Sequence, residues 1–414
     1  MARDRTGLRH GPRQADGLTF LSASASCPAI MRRPKLLFVV TEDWFFASHF
    51  LPMARAAREL DLDVVVIARE RQHRRVIEAT GARLIALEAE RGSLSPLALL
   101  RQVQTLKRLI ASERPDILHC IALKPIALAG LAGRLAGIDR RVYALTGLGF
   151  LGARQGQLAA LARLAARTWL REAIDGPGVR FLFENPDDPV MLGFDPQDKG
   201  KVAIVGGAGV DPLVLMPEPM PPTPPLKVAL VARMLWSKGV DLAVEAVKLA
   251  RAQGARVELT IHGAPDASNP KAIPETTLKE WAARPGINWA GPTRDIEGVW
   301  RNHHLCCLPS RGGEGLPRTI LEAAACGRAI LTTDVPGCRS FVRDGQDGMV
   351  VPSDDAAALA KALIVLAAAP GLVERMGASA RNRLLDGHTE RDVMDAVKAL
   401  YRGLLARPQT DVAA

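Results

Sequence analysis

The sequence predicts an α/β protein made of two doubly wound, parallel-sheet domains. Three observations lead there. The chain has 414 residues, more than one hydrophobic core normally serves. From Pro34 onward, short apolar runs alternate with amphipathic stretches, the pattern of parallel strands crossed over by helices. The alternation halts at the proline-rich stretch Met216–Pro225 and then restarts, so the pattern occurs twice.

Taken in order, residues 1–30 mix Arg, Gly, Ser and Pro without periodicity. Their apolar run Leu18–Leu21 is too short for a signal core. They are expected to be a disordered extension, with Met31 as the initiator. The first domain is expected over residues 31–212. Its strands are Lys35–Val40, Asp63–Ile67, Leu84–Leu87, Ile117–Ile121, Arg141–Leu145, Arg180–Glu184 and Ala203–Val205, mostly continuous apolar runs suited to burial on both faces. Thr41–Ser48 is expected to be the loop after the first strand. Helices are expected at Phe50–Leu60, Pro96–Glu113, Pro125–Gly137 and Gln157–Ile174, the second stopping at Arg114-Pro115. The run Val205–Asp211, VGGAGVD, matches a dinucleotide fingerprint only weakly. Counted from Gly207, the third glycine position holds Pro212, and no helix follows. It reads as a turn near an interdomain cleft.

Residues 213–225 are the linker, and the second domain is expected over residues 226–388. Strands are expected at Lys227–Ala232, Val257–Ile261, Ile287–Ala290, Asn302–Leu308 and around Val350. Helices are expected at Gly239–Gln253, Glu275–Ala283, Ile296–Asn302, Arg318–Cys326, Asp355–Ala368 and Leu372–Arg383. The last helix, Glu390–Leu405, carries Val393, Met394, Val397, Leu400 and Leu404 on one face, and residues 406–414 are a tail.

The chain is organised around Ser310–Gly327, SRGGEGLPRTILEAAACG, which reads as a loop and helix following a buried strand. Gly312, Gly313 and Gly315 permit positive φ and close approach of a ligand. Pro317 suits the start of a helix and Gly327 its end. Free N–H groups at such a start attract phosphate. Glu314 and Glu322 flank it, and a carboxylate can accept from two neighbouring hydroxyls, as a sugar or ribose offers. The combination suits a nucleotide sugar.

The formal charge is +10, and residues 31–211 carry 26 Lys and Arg against 20 Asp and Glu. An excess on that half suggests an anionic partner: nucleotide, lipid phosphate or anionic membrane. Nucleic acid fits poorly, since aromatics make up 4% and no basic-aromatic motif appears. The cysteines (27, 120, 306, 307, 326 and 338) lack metal-ligand spacing, and those in apolar runs read as buried thiols in a reducing compartment. No run reaches the 18 or so apolar residues of a spanning helix. On helix Gln157–Ile174, Arg163, Arg167 and Arg171 stack four apart, with Leu158, Leu161, Leu164 and Leu170 occupying much of the remainder. That face suits peripheral contact with an anionic membrane or a lipid diphosphate. The localisation expected is cytoplasmic, on the inner face of the membrane.

The run EGLPRTILEAAACG, followed by AILTTDVPGCRSFVRDGQDGMVVP, resembles the C-terminal signature of glycosyltransferase family 4, with its Glu-x7-Glu pair at Glu314 and Glu322. The likeness covers nearly all of Leu226–Leu405 and, more loosely, Pro34–Asp211. It implies the GT-B fold: two Rossmann-like halves facing a cleft, the last helix (residues 389–405) crossing back onto the first. It implies a retaining transferase that moves a sugar from a nucleotide diphosphate, UDP expected, to a lipid-linked or polysaccharide acceptor. UDP-N-acetylhexosamine is one candidate donor. The first half would bind the acceptor and the second the nucleotide sugar.

Arg233 and Lys238, in VARMLWSKGVD, follow the first strand of the second half, where α/β ligands bind. The family has an Arg and a Lys at this spacing, gripping the diphosphate. With Glu314 they are the expected catalytic residues, Glu314 holding donor-sugar hydroxyls. Glu322 is expected on the ribose. Ser310, Gly315, Leu316, Pro317 and Arg318 of the main loop, Gly263 in IHGAPD, and Gly291, Pro292 and Thr293 in WAGPTRD complete the donor side by resemblance. With two fixed cations and a helix dipole, neither metal nor cofactor is expected.

On the acceptor side the sequence departs from the family. The loop after the first strand lacks the glycine pair many members carry and resembles instead a branch acting on lipid-linked and polysaccharide sugars. The family's acceptor-side His is absent from Ala144–Gly149. Either Thr146 and the Gly147 backbone serve, or His119 or His49 substitutes, with Lys124 nearby in sequence. Two other readings stay open: a sugar-nucleotide epimerase or phosphorylase on the same fold, and a catalytically silent sugar-nucleotide binder.

Overall fold

The computed structural model describes residues 32–87, 95–149, 152, 156–266 and 269–407. The expected N-terminal extension and the end of the tail lie outside them. Thirteen strands are described: β1 Lys35–Glu42, β2 Asp63–Arg69, β3 Arg83–Ala86, β4 Ile117–Ile121, β5 Arg141–Leu145, β6 Val179–Phe183, β7 Val202–Ile204, β8 Leu226–Val231, β9 Val257–His262, β10 Ile287–Gly291, β11 Leu305–Leu308, β12 Ala329–Thr333 and β13 Gly348–Val351. They form two parallel sheets, β3-β2-β1-β4-β5-β6-β7 and β10-β9-β8-β11-β12-β13. Each sheet reverses its winding beside its first strand, between β1 and β4 and between β8 and β11. These are doubly wound sheets, and the crevice at such a reversal is where α/β folds hold ligands.

The central strands are buried over most of their length, as the apolar runs require: Leu36, Leu37 and Phe38 of β1 and Val228, Ala229 and Leu230 of β8 are fully covered. The C-terminal helix Glu390–Leu405 completes the core of the first sheet. Val393, Met394, Val397, Tyr401 and Leu404 pack with Phe38, Phe50 and Met53. Each fully buried side chain of this kind contributes about 1.5–3 kcal/mol. A Thr389–Asp392 capping box starts the helix, and Lys398 Nζ reaches Glu59 Oε2 at 2.7 Å. The VGGAGVD turn lies beside this return. Val210 bridges to Thr389, and a Cβ at Gly207 would stand 3.0 Å from Leu316 Cβ.

Several elements differ from the sequence expectation. Thr41–Ser48 is not a loop: β1 runs to Glu42 and Asp43–His49 is helical. Tertiary contacts decide this. Asp43 Oδ2 accepts the Arg71, Gln72 and His73 N–H groups at 2.7, 3.1 and 3.0 Å, and Phe46 packs edge-on against Phe38. Strand β12 and the short helices Asp187–Met191 and Pro336–Arg339 were not anticipated. Helix Gln157–Ile174 is α-helical to Thr168 and then widens into a π turn, Trp169–Ala173. Its Leu170 is buried, whereas Leu158, Leu161 and Leu164 are exposed. Its basic face partly turns inward: Arg167 packs on Gly193 and Arg171 reaches the Gly193 carbonyl.

No single helix among the described residues is long and apolar enough to cross a membrane. One bent pair, Ala356–Ala368 with Pro370–Leu385, passes by length and composition.

Candidate functional site

The carboxyl ends of β1, β4 and β5 meet those of β8 and β11 across a cavity of about 420 Å³. The first half contributes Trp44, His49, Thr146, Gly147 and Glu184. The second contributes Arg233, Lys238, Glu314, Gly315, Leu316 and Pro317, with Arg318 beside them. These residues are far apart in sequence. Over six strands the two sheets have the same order, so both aim their loops at one crevice.

Among the described residues, three hydrogen bonds fasten the glycine loop to the first half. Gly149 N–H donates to Gly313 O at 3.0 Å, Asn185 Nδ2 donates to Gly315 O at 3.1 Å, and Leu316 N–H donates to Glu184 Oε2 at 2.9 Å. The approach demands glycine. A Cβ at Gly147 would lie 2.4 Å from Gly315 N, and one at Gly315 would lie 2.1 Å from Glu184 Oε2. The Leu316 N–H, two residues before the helix, is thereby committed to Glu184.

Inside the cavity, Lys238 Nζ and Ser310 Oγ both donate to Glu314 Oε1, at 2.6 and 2.8 Å. Ser310 itself is fully buried, so it orients Glu314 rather than meeting solvent. Arg318 Nε donates to Glu322 Oε1 at 2.8 Å, and its NH1 group donates to the Ser48 carbonyl of the other half. Arg233 lies 5.6 Å from the centroid of the Trp44 ring, a cation–π contact across the cleft. Three cations, Arg233, Lys238 and Arg318, thus converge from the segment after β8 and one helix start.

That cluster shapes the titration of its neighbours. Burial, then the charges of Arg318, Lys238 and Arg233, push the His49 imidazole down to about 3. His49 is therefore neutral at physiological pH, with Nδ1 2.6 Å from Ser48 Oγ. Burial raises Glu184 to about 8, the Leu316 N–H opposing and the Asp188 and Glu314 carboxylates adding. Burial likewise raises Glu322, against the pull of Arg318.

A second cavity, about 600 Å³, adjoins through Arg318 and is lined by Glu322, Arg294 and Asp295. Gly263, Gly291, Pro292 and Thr293 line neither cavity. Gly263 and Gly291 are joined by a 2.9 Å backbone bond, and Thr293 Oγ1 accepts the Asp295 N–H at 3.1 Å, so they shape the turn that presents Arg294 and Asp295.

Of the acceptor-side candidates, His49, Thr146 and Gly147 line the main cavity. His119 does not: it is fully buried, its Nδ1 2.8 Å from Tyr401 Oη under the C-terminal helix. Central-strand residues alternate between two covered faces, which is why position after an apolar run did not place it. Lys124 lines a separate cavity of the first half. Glu184 was missed by sequence reasoning. The available signal was a carboxylate ending a buried strand at the ligand end of the sheet, directly before Asn-Pro-Asp-Asp. Among the described residues, no group of three His, Cys, Asp or Glu side chains has metal-binding geometry.

Comparison with known proteins gives the family. A model described as "Glycosyl transferases group 1" matches residues 225–369, and one described as "Glycosyl transferase 4-like" matches residues 35–173. N,N'-diacetylbacillosaminyl-diphospho-undecaprenol alpha-1,3-N-acetylgalactosaminyltransferase of Campylobacter jejuni is 24% identical over 332 residues, covering 77% of this chain and 85% of that protein. Amylovoran biosynthesis glycosyltransferase AmsK of Erwinia amylovora is 30% identical over 149 residues, 34% of this chain and 36% of AmsK. Among solved structures, a glycosyltransferase from Rickettsia africae superposes with a TM-score of 0.73 at 16% identity, covering 91% of this chain and all of that one. Anabaena HepE in complex with UDP-glucose superposes with a TM-score of 0.70 at 14% identity, covering 89% of this chain and 99% of that one.

Proposed function

Since the chain belongs to the GT-B glycosyltransferases described by those two family models, we propose that it is a retaining enzyme. In this reading it transfers a sugar from a UDP-sugar to a lipid-linked or polysaccharide acceptor in cell-surface glycan assembly. The observation that carries the reading is the gathering of Arg233, Lys238 and Arg318 around Glu314 in one cavity. The names of two similar proteins support the finer terms. One acts on a diphospho-undecaprenol-linked sugar, and the other was solved with UDP-glucose.

The chemistry follows from charge. As the glycosidic bond breaks, negative charge grows on the leaving diphosphate. Fixed cations aimed at it stabilise the transition state more than the ground state. Arg233 and Lys238 take this role without requiring a metal. Glu314, held by Ser310, accepts from hydroxyls of the donor sugar, and Glu322, in the adjoining cavity, accepts from the ribose. Retention needs no protein nucleophile here. In a front-face displacement a donor phosphate oxygen takes the acceptor proton, and the protein's contribution is position. His49, Thr146 and Gly147 bound the acceptor side, and neutral His49 is available to accept a hydrogen bond from the incoming hydroxyl.

Peripheral attachment to an anionic membrane belongs to the same reading. Leu158, Leu161 and Leu164 are exposed on one helix beside Arg163, Arg167 and Arg171.

The test is a panel of UDP-sugars, UDP-N-acetylhexosamines first, with polyprenyl-diphosphate sugars as acceptors and UDP release as the signal. Acceptor-dependent release is expected. Isomerisation of the UDP-sugar without acceptor, or binding without release from any pair, would overturn the assignment.

A further inference from the structure

The first half holds a second cavity, about 160 Å³, that the donor chemistry does not use. It opens at the carboxyl ends of β1 and β2. Its floor is apolar: Val39, Ile67, Leu106 and Leu128 line it, with Pro125 beside them. Among the described residues its charged lining is cationic, from Arg69, Arg101 and Lys124, with Thr41, Gln102 and Thr105 as neutral polar groups. The volume is that of about five liquid waters, enough for a short branched hydrocarbon segment but not for a long chain.

Two further features fix its chemistry. Val40 and Thr41 line both this cavity and the donor cavity, so the two are neighbours along β1. Arg69 also lies 3.6 Å from Glu42, another residue lining the donor cavity. On helix Pro96–Glu113, which contributes Arg101 to the lining, Leu97 and Leu100 are large apolar side chains left exposed. Leu97 is one helical turn before Arg101, so apolar and cationic groups share a face. Apolar walls with a cationic rim recognise an anion carrying a hydrocarbon: the charge meets the rim, the hydrocarbon the floor.

We propose that this cavity binds the phosphate-proximal hydrocarbon of an isoprenoid diphosphate, placing the head group of a lipid-linked acceptor beside the donor cavity. The inference rests on the transferase reading and adds where the acceptor is anchored. Arg69 and Lys124 take the diphosphate, Arg101 guards the outer rim, and Leu97 with Leu100 meet the emerging chain. The sugar on the diphosphate then extends past Thr41 toward Glu314.

The experiment uses the full chain saturated with UDP, so that no probe occupies the donor cavity. Binding of farnesyl diphosphate, inorganic diphosphate and farnesol is measured by calorimetry, below micelle-forming concentrations. Farnesyl diphosphate should bind at least about tenfold tighter than either fragment, since each fragment makes only half of the contacts. Lys124→Gln and Arg101→Gln should each weaken it by about fivefold, the value of one basic residue near an anionic head group. Leu128→Trp, which fills the floor, should abolish the advantage over inorganic diphosphate. UDP binding should persist in all three variants, which also reports folding. Equal binding of inorganic and farnesyl diphosphate would show a free-phosphate site and overturn the proposal. So would farnesyl diphosphate binding unaffected by Leu128→Trp. Failure of the unmodified chain to bind UDP would instead overturn the transferase reading.

Discussion

Lys238 Nζ lies 2.6 Å from Glu314 Oε1, although 76 residues separate them. The lysine follows β8 and the glutamate follows β11, adjacent strands at the reversal of the second sheet. The two side chains proposed to meet the diphosphate and the donor sugar therefore share one hydrogen bond in the cavity. A carboxylate with Ser310 and Lys238 on one oxygen has its orientation set before any hydroxyl arrives.

Lys238→Ala and Arg233→Ala should each lower kcat by roughly 10²–10³, the cost of losing one preorganised oxyanion-type donor. Steady-state kinetics with the identified pair checks this. EDTA should leave the rate unchanged. Near-normal kcat in Lys238→Ala, or loss of activity in EDTA, would place leaving-group stabilisation elsewhere.

Glu322→Ala should act mainly on binding, because the ribose does not react. A raised KM and Kd for UDP with kcat within a few-fold are expected. The structure adds a second consequence. Arg318 loses its carboxylate but keeps the Ser48 carbonyl across the cleft. Arg318→Ala should therefore share the UDP defect and in addition loosen the two halves, visible as faster hydrogen exchange at the Asp43–His49 helix.

Glu184→Gln should alter the pH dependence of stability. A carboxyl raised to about 8 keeps its proton in the folded chain while the unfolded chain loses it near the usual 4.5. Between those values the folded state binds more protons, so Glu184 stabilises below the lower value and that stabilisation is lost as pH rises through about 8. One proton corresponds to a slope of at most about 1.4 kcal/mol per pH unit. Denaturant midpoints from pH 5 to 9 should fall less steeply in Glu184→Gln, with a residual slope from Asp188, which burial raises to about 7. Identical slopes in both proteins would mean that Glu184 is ionised in the fold.

Changing Arg163, Arg167 and Arg171 together to Gln should release the chain from anionic vesicles at low salt, at about 1 kcal/mol per basic residue. Leu158→Ser with Leu161→Ser should do so at high salt as well, because burial of apolar surface is not screened. Sedimentation with vesicles of defined anionic content separates the two. Unchanged sedimentation of both variants would remove this helix from membrane contact.

The sequence by itself determined the two-sheet class, most strand positions and the donor loop. Each of these is written in local pattern: apolar runs of strand length, a proline-rich break, and Gly-Gly-Glu-Gly-Leu-Pro before a helix. It also placed Arg233, Lys238, Glu314 and His49 at carboxyl ends of strands, where the fold gathers ligand groups. The tertiary structure decided what depends on which faces meet. His119 and Glu184 each sit in or directly after an apolar strand, yet Tyr401 covers the first, whereas the second bridges to Leu316 and borders the cavity. The Asp43–His49 helix exists because Asp43 caps residues 71–73 and Phe46 packs on Phe38, contacts no local window contains. Periodicity reports the burial of a residue's own element; the partner on the opposing element exists only once the chain has folded.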